Sequence, residues 1–283
     1  MEALYYTRQD TLAVTCQLCP HHCHIISGNS GRCRCRYNKD GMLTSLNYGQ
    51  CTSAALDPVE KKPLRRFHPG HQILSLGSWG CNLACSFCQN WQISQEQAIF
   101  QEITPQEAVS LALREKKNDN IGLAYTYNEP TVWYEFISHT APLIHAAGLL
   151  NVMVTNGYIE EKPLQALLPY IDAWNIDLKA FQDKFYYTLC KGTLAPVLRT
   201  IRLAAASSHV EVTTLIIPGE NDRIDDMDRE AAWLASISPD IPLHITRYFP
   251  RYHMDTPPTP LDTLYALANK ARQHLSTVYI GNV

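Results

Sequence analysis

From residue 73 onward the chain alternates short apolar runs with longer segments of helical periodicity, and this alternation restricts the fold more than any other feature. Runs at 73–79, 122–127, 150–155, 173–178, 210–217, 243–249 and 277–280 have the length and the β-branched or aromatic content of strands. Helix-like segments separate them at 104–113, 131–147, 163–169, 182–206, 224–236 and 260–274. The first carries a start signal: Thr104 as N-cap, Pro105 at the first helical position and Glu107 completing a capping box. Strands that alternate with helices imply a parallel sheet joined by right-handed crossovers. Six or seven such units point to a barrel or most of one. The expected fold class is therefore α/β, a partial (β/α)6-type TIM-like barrel over residues 73–283.

Residues 1–72 read differently, as a small N-terminal Cys-rich metal-binding module with a connecting segment. Turn chemistry at 37–41, between runs at 34–37 and 42–48, predicts a hairpin. The stretch from Asp57 to Leu64 and Pro69-Gly70 read as an irregular connection. Ten cysteines stand in the 283-residue chain, and seven fall into two tight groups. No charged start followed by an apolar stretch marks a secretion signal, which predicts a cytoplasmic protein. In that reducing setting such a density points to metal or redox work rather than disulfides. Lys and Arg number 24 against 27 Asp and Glu, a formal charge of −3, so no basic excess argues for nucleic acid. No apolar run approaches a bilayer span, so no membrane partner is expected.

The second cysteine group is Cys81-Asn-Leu-Ala-Cys85-Ser-Phe-Cys88, directly after the first barrel strand. Three thiolates at this spacing suit three corners of a cubane [4Fe–4S] cluster and leave the fourth iron open. A structural zinc ion would want four protein ligands, and no fourth follows nearby. The ends of the later strands are polar and fall on the face where barrel sites are built: Asn128-Glu129-Pro130, Thr155-Asn156-Gly157, Asp177-Leu178-Lys179, Pro218-Gly219 and Arg247-Tyr248.

With Phe87 just before the last cysteine, this loop resembles that of the radical S-adenosylmethionine (SAM) superfamily. The resemblance implies a [4Fe–4S] cluster on Cys81, Cys85 and Cys88 whose open iron takes SAM. It also implies reductive cleavage of SAM to a 5′-deoxyadenosyl radical, and hydrogen abstraction from an unidentified protein, peptide or small-molecule substrate. Tyr127-Asn128-Glu129-Pro130 stands where the family has a Gly-Gly-Glu-Pro-like segment at the SAM amino group. Val154-Thr155-Asn156-Gly157 and Asn175-Ile176-Asp177-Leu178-Lys179 resemble the Asp-Thr-Asn-Gly and Asp-Leu-Lys segments of glycyl-radical activating enzymes. The implied cofactor-binding residues are Phe87, Asn128, Glu129, Thr155, Asn156, Asp177 and Lys179. More narrowly, Gly80–Ser94, Asp57–Leu64, Thr126–Pro130 and Tyr279-Ile280-Gly281-Asn282-Val283 resemble the AmmeMemoRadiSam-system enzymes, relatives of pyruvate formate-lyase activating enzyme. That likeness implies an electron donor such as flavodoxin or ferredoxin, and Memo-like and AMMECR-like partner proteins.

The first group, Cys16, Cys19, Cys23 and Cys33, supplies four thiolates, which suit either zinc or a second, fully ligated iron–sulfur cluster. Cys35 is the nearest substitute ligand, while His21, His22 and His24 read as solvated or hydrogen-bonded. Trp79 and Trp91 bracket the cysteine loop as shielding, and Arg247 suits either an anion clamp or a surface ion pair. Two readings of function stand beside the direct modification of a substrate. One is an activase for a glycyl-radical enzyme. The other, of a different class, is a non-enzymatic zinc-stapled binding module.

Overall fold

A computed structural model describes residues 1–96 and 98–283. The N-terminal region forms a small sheet of β1 (Tyr6–Arg8), β2 (Val14–Cys16) and β3 (His24–Ile25), followed by a hairpin of β4 (Arg36–Lys39) and β5 (Met42–Ser45). The expected hairpin is present. Asp40 and Gly41 both take positive φ, 52° and 84°, the two-residue turn whose twist matches its flanking strands. The short strand β6 (Gln50–Cys51) pairs with β9 (Gln101–Glu102).

The main sheet has eight strands. β7 (Ser53–Pro58) is an antiparallel edge on β8 (Gln72–Gly77). Then β10 (Asn120–Tyr125), β11 (Leu150–Thr155), β12 (Ala173–Asp177), β13 (His209–Ile216), β14 (Leu243–Arg247) and β15 (Val278–Gly281) follow in parallel, in sequence order. β7 and β15 remain as the two edges, so the barrel is partial. All seven expected strands are present within a few residues of their expected limits.

Helices α1 (Trp91–Gln95), α2 (Pro105–Arg114), α3 (Tyr134–Ala146), α4 (Glu161–Leu167), α5 (Asp183–Phe185), α6 (Ala195–Ala205), α7 (Ile224–Ile237) and α8 (Leu261–Ala271) complete the layers. The capping box of α2 forms: Thr104 Oγ1 accepts from the Glu107 amide, and Glu107 Oε2 accepts from the Thr104 amide.

Two expectations need correction. The single helix over 182–206 is broken into α5, a π-turn at Tyr186–Cys190 and α6. Lys191 sits at φ 60°, and the carbonyls of Leu189 and Cys190 accept the amides of Ser86 and Ala84. The helix opens there to hold the cysteine loop. The stretch 57–64 is not wholly irregular. It completes β7, turns at Val59–Lys61 and then plugs the lower barrel. Val59 and Leu64 pack there on Ile73, Ala124, Val152 and Ala173. The barrel sheet thus begins before residue 73. The plug is locked by the Glu211 carboxylate, which accepts the amides of Arg65 and Arg66 and pairs with His209 and His244.

Candidate active site

Gly80 turns the chain out of β8 into the cysteine loop. Its φ is +86°, and a Cβ there would stand 2.2 Å from Cys35 Sγ and 2.9 Å from the Cys33 carbonyl oxygen. A left-handed turn with no room for a side chain suits glycine alone. Asn128 braces this turn: its Oδ1 accepts the Ser78 amide, and its Nδ2 donates to the Gly80 carbonyl. Both polar atoms of Asn128 are therefore engaged with backbone.

The loop is fastened on every side. Ala84 and Ser86 bond to the opened helix at 189–190, Ser86 also accepts the His253 amide on its carbonyl, and Gly80 donates to the Ile93 carbonyl. Phe87 is buried against Phe185, ring centroids 5.7 Å apart. Amide N–H groups are aimed at sulfur: Leu83 N lies 3.4 Å and Asn156 Nδ2 3.6 Å from Cys81 Sγ. Such donors suit a sulfur carrying negative charge. Burial pushes the Cys81 thiol well up and that of Cys88 up. Cys85 is held below the usual thiol value, chiefly by its hydrogen bond with Cys190, and the nearby Lys179 charge adds to that.

Glu129 joins the loops after β10 and β11. It is 2% exposed; Oε1 accepts from Thr131 N and Thr155 Oγ1, and Oε2 from Asn156 N. Burial raises its pKa, and these donors oppose the rise. Asn156 then reaches Asn82 Oδ1 at 2.9 Å, and Asn82 Nδ2 bonds the Tyr158 carbonyl. On β12 the side chains of Ala173, Asn175 and Asp177 share a face by their period of two. Ala173 belongs to the inner cluster and Asn175 bonds the plug at the Pro63 carbonyl, so Asp177 faces the lumen. Lys179 Nζ lies 2.6 Å from its carboxylate, and that partner holds the ammonium pKa up against burial.

All four N-terminal cysteines, Cys16, Cys19, Cys23 and Cys33, line one small pocket together with His21, Arg36 and Asn82. Cys35 is absent from its wall; its thiol turns to the Trp79 carbonyl. His21 bonds the Asn82 carbonyl and His22 pairs with Glu160, so both are hydrogen-bonded as expected. Trp79 packs on the cluster of Cys33, Cys35 and Val132, and Trp91 stacks on Tyr252 at 5.3 Å. Arg247 makes no ion pair among the described residues; its Nε donates to the Thr259 carbonyl. Sequence reasoning missed Asn82, Arg36, Glu135 and the closeness of Cys190 to Cys85. Only Asn82, lying inside the cysteine motif, carried a signal. Among the described residues, no three Cys, His, Asp or Glu side chains converge on a single-ion site. No helix among them is long and apolar enough to cross a membrane.

A loop of three cysteines with two amide N–H groups on Cys81 Sγ has the donor chemistry of an iron–sulfur cluster site. The Radical SAM superfamily model matches residues 78–231. An uncharacterised protein of Methanocaldococcus jannaschii is 45% identical over 289 residues, covering all of this chain and 85% of that one. Benzylsuccinate synthase activating enzyme of Thauera aromatica is 26% identical over 66% of this chain and 57% of its own length. In solved structures, a domain of pyruvate-formate lyase-activating enzyme from Bacteroides vulgatus superposes with a TM-score of 0.51 at 19% identity, covering 57% of this chain and 99% of that domain. SuiB of Streptococcus suis bound to S-adenosylmethionine gives 0.58 at 13% identity, covering 71% of this chain and 47% of that one. At such identities these two bear on fold alone. With the family model covering more than half of the chain, and the cysteine loop at its start, the chain belongs to the radical SAM superfamily and is an S-adenosylmethionine-dependent radical enzyme.

Proposed function

We propose that Cys81, Cys85 and Cys88 hold the [4Fe–4S] cluster, and that the enzyme abstracts hydrogen from a protein, peptide or small-molecule substrate. Once reduced by a flavodoxin- or ferredoxin-class donor, the cluster supplies the electron that splits SAM into methionine and a 5′-deoxyadenosyl radical. The observation that carries this reading is the convergence of Asn156 Nδ2 and the Leu83 amide on Cys81 Sγ, on a loop fastened to three barrel segments. The cofactor-binding residues divide by reach. Asn128, Glu129 and Thr155 brace the backbone that meets SAM, and Phe87 wedges the loop against α5. Asn156, Asp177 and Lys179, at the strand ends, contact the cofactor directly. Within residues 1–72, the cysteine-bearing part ahead of β7 acts as a metal-holding module docked on the barrel, with Cys16, Cys19, Cys23 and Cys33 ligating zinc or a second cluster.

The named relative from Thauera aromatica favours a second reading, activation of a glycyl-radical enzyme, in which the substrate is a backbone glycine. Memo-like and AMMECR-like proteins are the partners in the first reading. Anaerobic co-purification with each partner class separates the two.

The test is anaerobic reconstitution with iron and sulfide, then dithionite and SAM, following 5′-deoxyadenosine by chromatography. Wild type should form it and Cys88→Ala should not. Equal formation by both proteins would remove Cys88 from the site.

A further inference from the structure

Resting on the reading that the N-terminal cysteines bind metal, we propose that their pocket holds a second iron–sulfur cluster, and that the buried Arg36 guanidinium is its counter-charge. Arg36 is 1% exposed and lines the pocket with Cys16, Cys19, Cys23 and Cys33. Its Nη1 donates to Glu135 Oε1 at 2.6 Å. Its Nε and Nη2 are buried and find no acceptor among the described residues. A buried charged donor without a partner is costly, so one facing a ligand pocket indicates what the ligand offers. Thiolates on a metal centre are acceptors of the right sign.

A cluster and zinc ask different spacings of the same four thiolates. Zinc draws its thiolates to about 2.3 Å from one point. Thiolates at the corners of a cubane stand apart, each on its own iron. The four cysteines share one pocket, and either centre would present thiolates of the same sign to Arg36; reconstitution distinguishes the two.

Glu135 sets the geometry. It lies on α3, is fully buried, accepts the Leu4 amide and leaves Oε2 unpartnered among the described residues. Arg36 thus stands between a carboxylate of the barrel and the cysteines of the module. Its charge favours the more negative, reduced form of a cluster, while that of Glu135 opposes it.

The experiment uses the full chain carrying Cys81→Ala, Cys85→Ala and Cys88→Ala, reconstituted anaerobically, so that remaining metal reports on the N-terminal pocket. Iron and sulfide should remain, with an iron–sulfur absorbance that reduces on titration. Zinc in their place overturns the cluster and leaves the metal reading standing. No metal overturns both. In this background Arg36→Gln should raise the oxidised-to-reduced ratio at fixed potential at least tenfold, about 59 mV for a one-electron couple. Glu135→Gln should lower that ratio, and Arg36→Lys should stay near the parent. Unchanged ratios, or shifts of one sign in both Gln variants, would overturn the role of Arg36. Loss of iron from Arg36→Lys with circular dichroism retained would overturn it too, because that variant keeps the charge.

Discussion

Glu129 shows how one side chain can set a site without holding its chemistry. A carboxylate at 2% exposure is expensive to bury, and it is kept because three donors on two different loops converge on it. Glu129→Gln replaces one acceptor oxygen by an NH2 group facing a donor. About 1–3 kcal/mol of stability should be lost. The Asn156 backbone, freed from Oε2, should then carry its Nδ2 away from Cys81. Urea unfolding checks the first effect. A fall of at least about tenfold in 5′-deoxyadenosine formation, roughly 1.4 kcal/mol, checks the second. Retention of both by Glu129→Gln would show that Glu129 does not organise the loops.

At the level of elements, the strand that delivers the cysteines depends on Gly80. Gly80→Ala combines a left-handed backbone with a Cβ 2.2 Å from Cys35 Sγ and 2.9 Å from a backbone oxygen. Strain of about 1–2 kcal/mol and overpacking of about 1–3 kcal/mol should add. The variant should melt earlier and take up less iron. Adding Cys35→Ala removes the closest contact and should recover part of the loss; no recovery would place the whole cost in the backbone. This junction also marks the limit of what the sequence discloses. The seven parallel strands were legible because each is a self-contained apolar run, and α2 because its cap is local. The cysteine loop was legible for the same reason. The break at Tyr186–Cys190 was not, since its cause is a loop about a hundred residues earlier that takes the carbonyls of Leu189 and Cys190. β7 was hidden because it is a half-exposed edge without an apolar run. Arg36 and Glu135 are 99 positions apart, and only folding brings them together.

For the molecule as a whole, two buried carboxylates on opposite sides of β13 pull stability in opposite directions with pH. Glu211 points to the plug. Burial alone would raise its pKa, but His209, His244 and the Arg66 amide outweigh that and hold it at about 2, below its ordinary value near 4.5. Its contribution is present above pH 4.5 and is lost as pH falls toward 2. Glu230, on α7, is pushed up to about 8 by burial, with its Oε1 accepting from Thr214 Oγ1 at 2.5 Å. A raised carboxyl works the other way. Its stabilisation is whole below pH 4.5 and is lost as pH rises through 8, because the unfolded chain releases its proton first. The two together predict a stability maximum in the mildly acidic range and decline on both sides. Glu230→Gln should flatten the alkaline limb, with a gain relative to wild type on the order of 2–4 kcal/mol at pH 8.5. Glu211→Gln should lower stability at neutral pH and flatten the acid limb, because the amide cannot serve both imidazoles and both backbone amides. Urea midpoints of the three proteins across pH 3–9, taken on metal-free chains to exclude cofactor loss, separate the limbs. A Glu230→Gln curve parallel to wild type above pH 5 would show that this carboxyl ionises normally in the fold, and that the α7–β13 interface admits water.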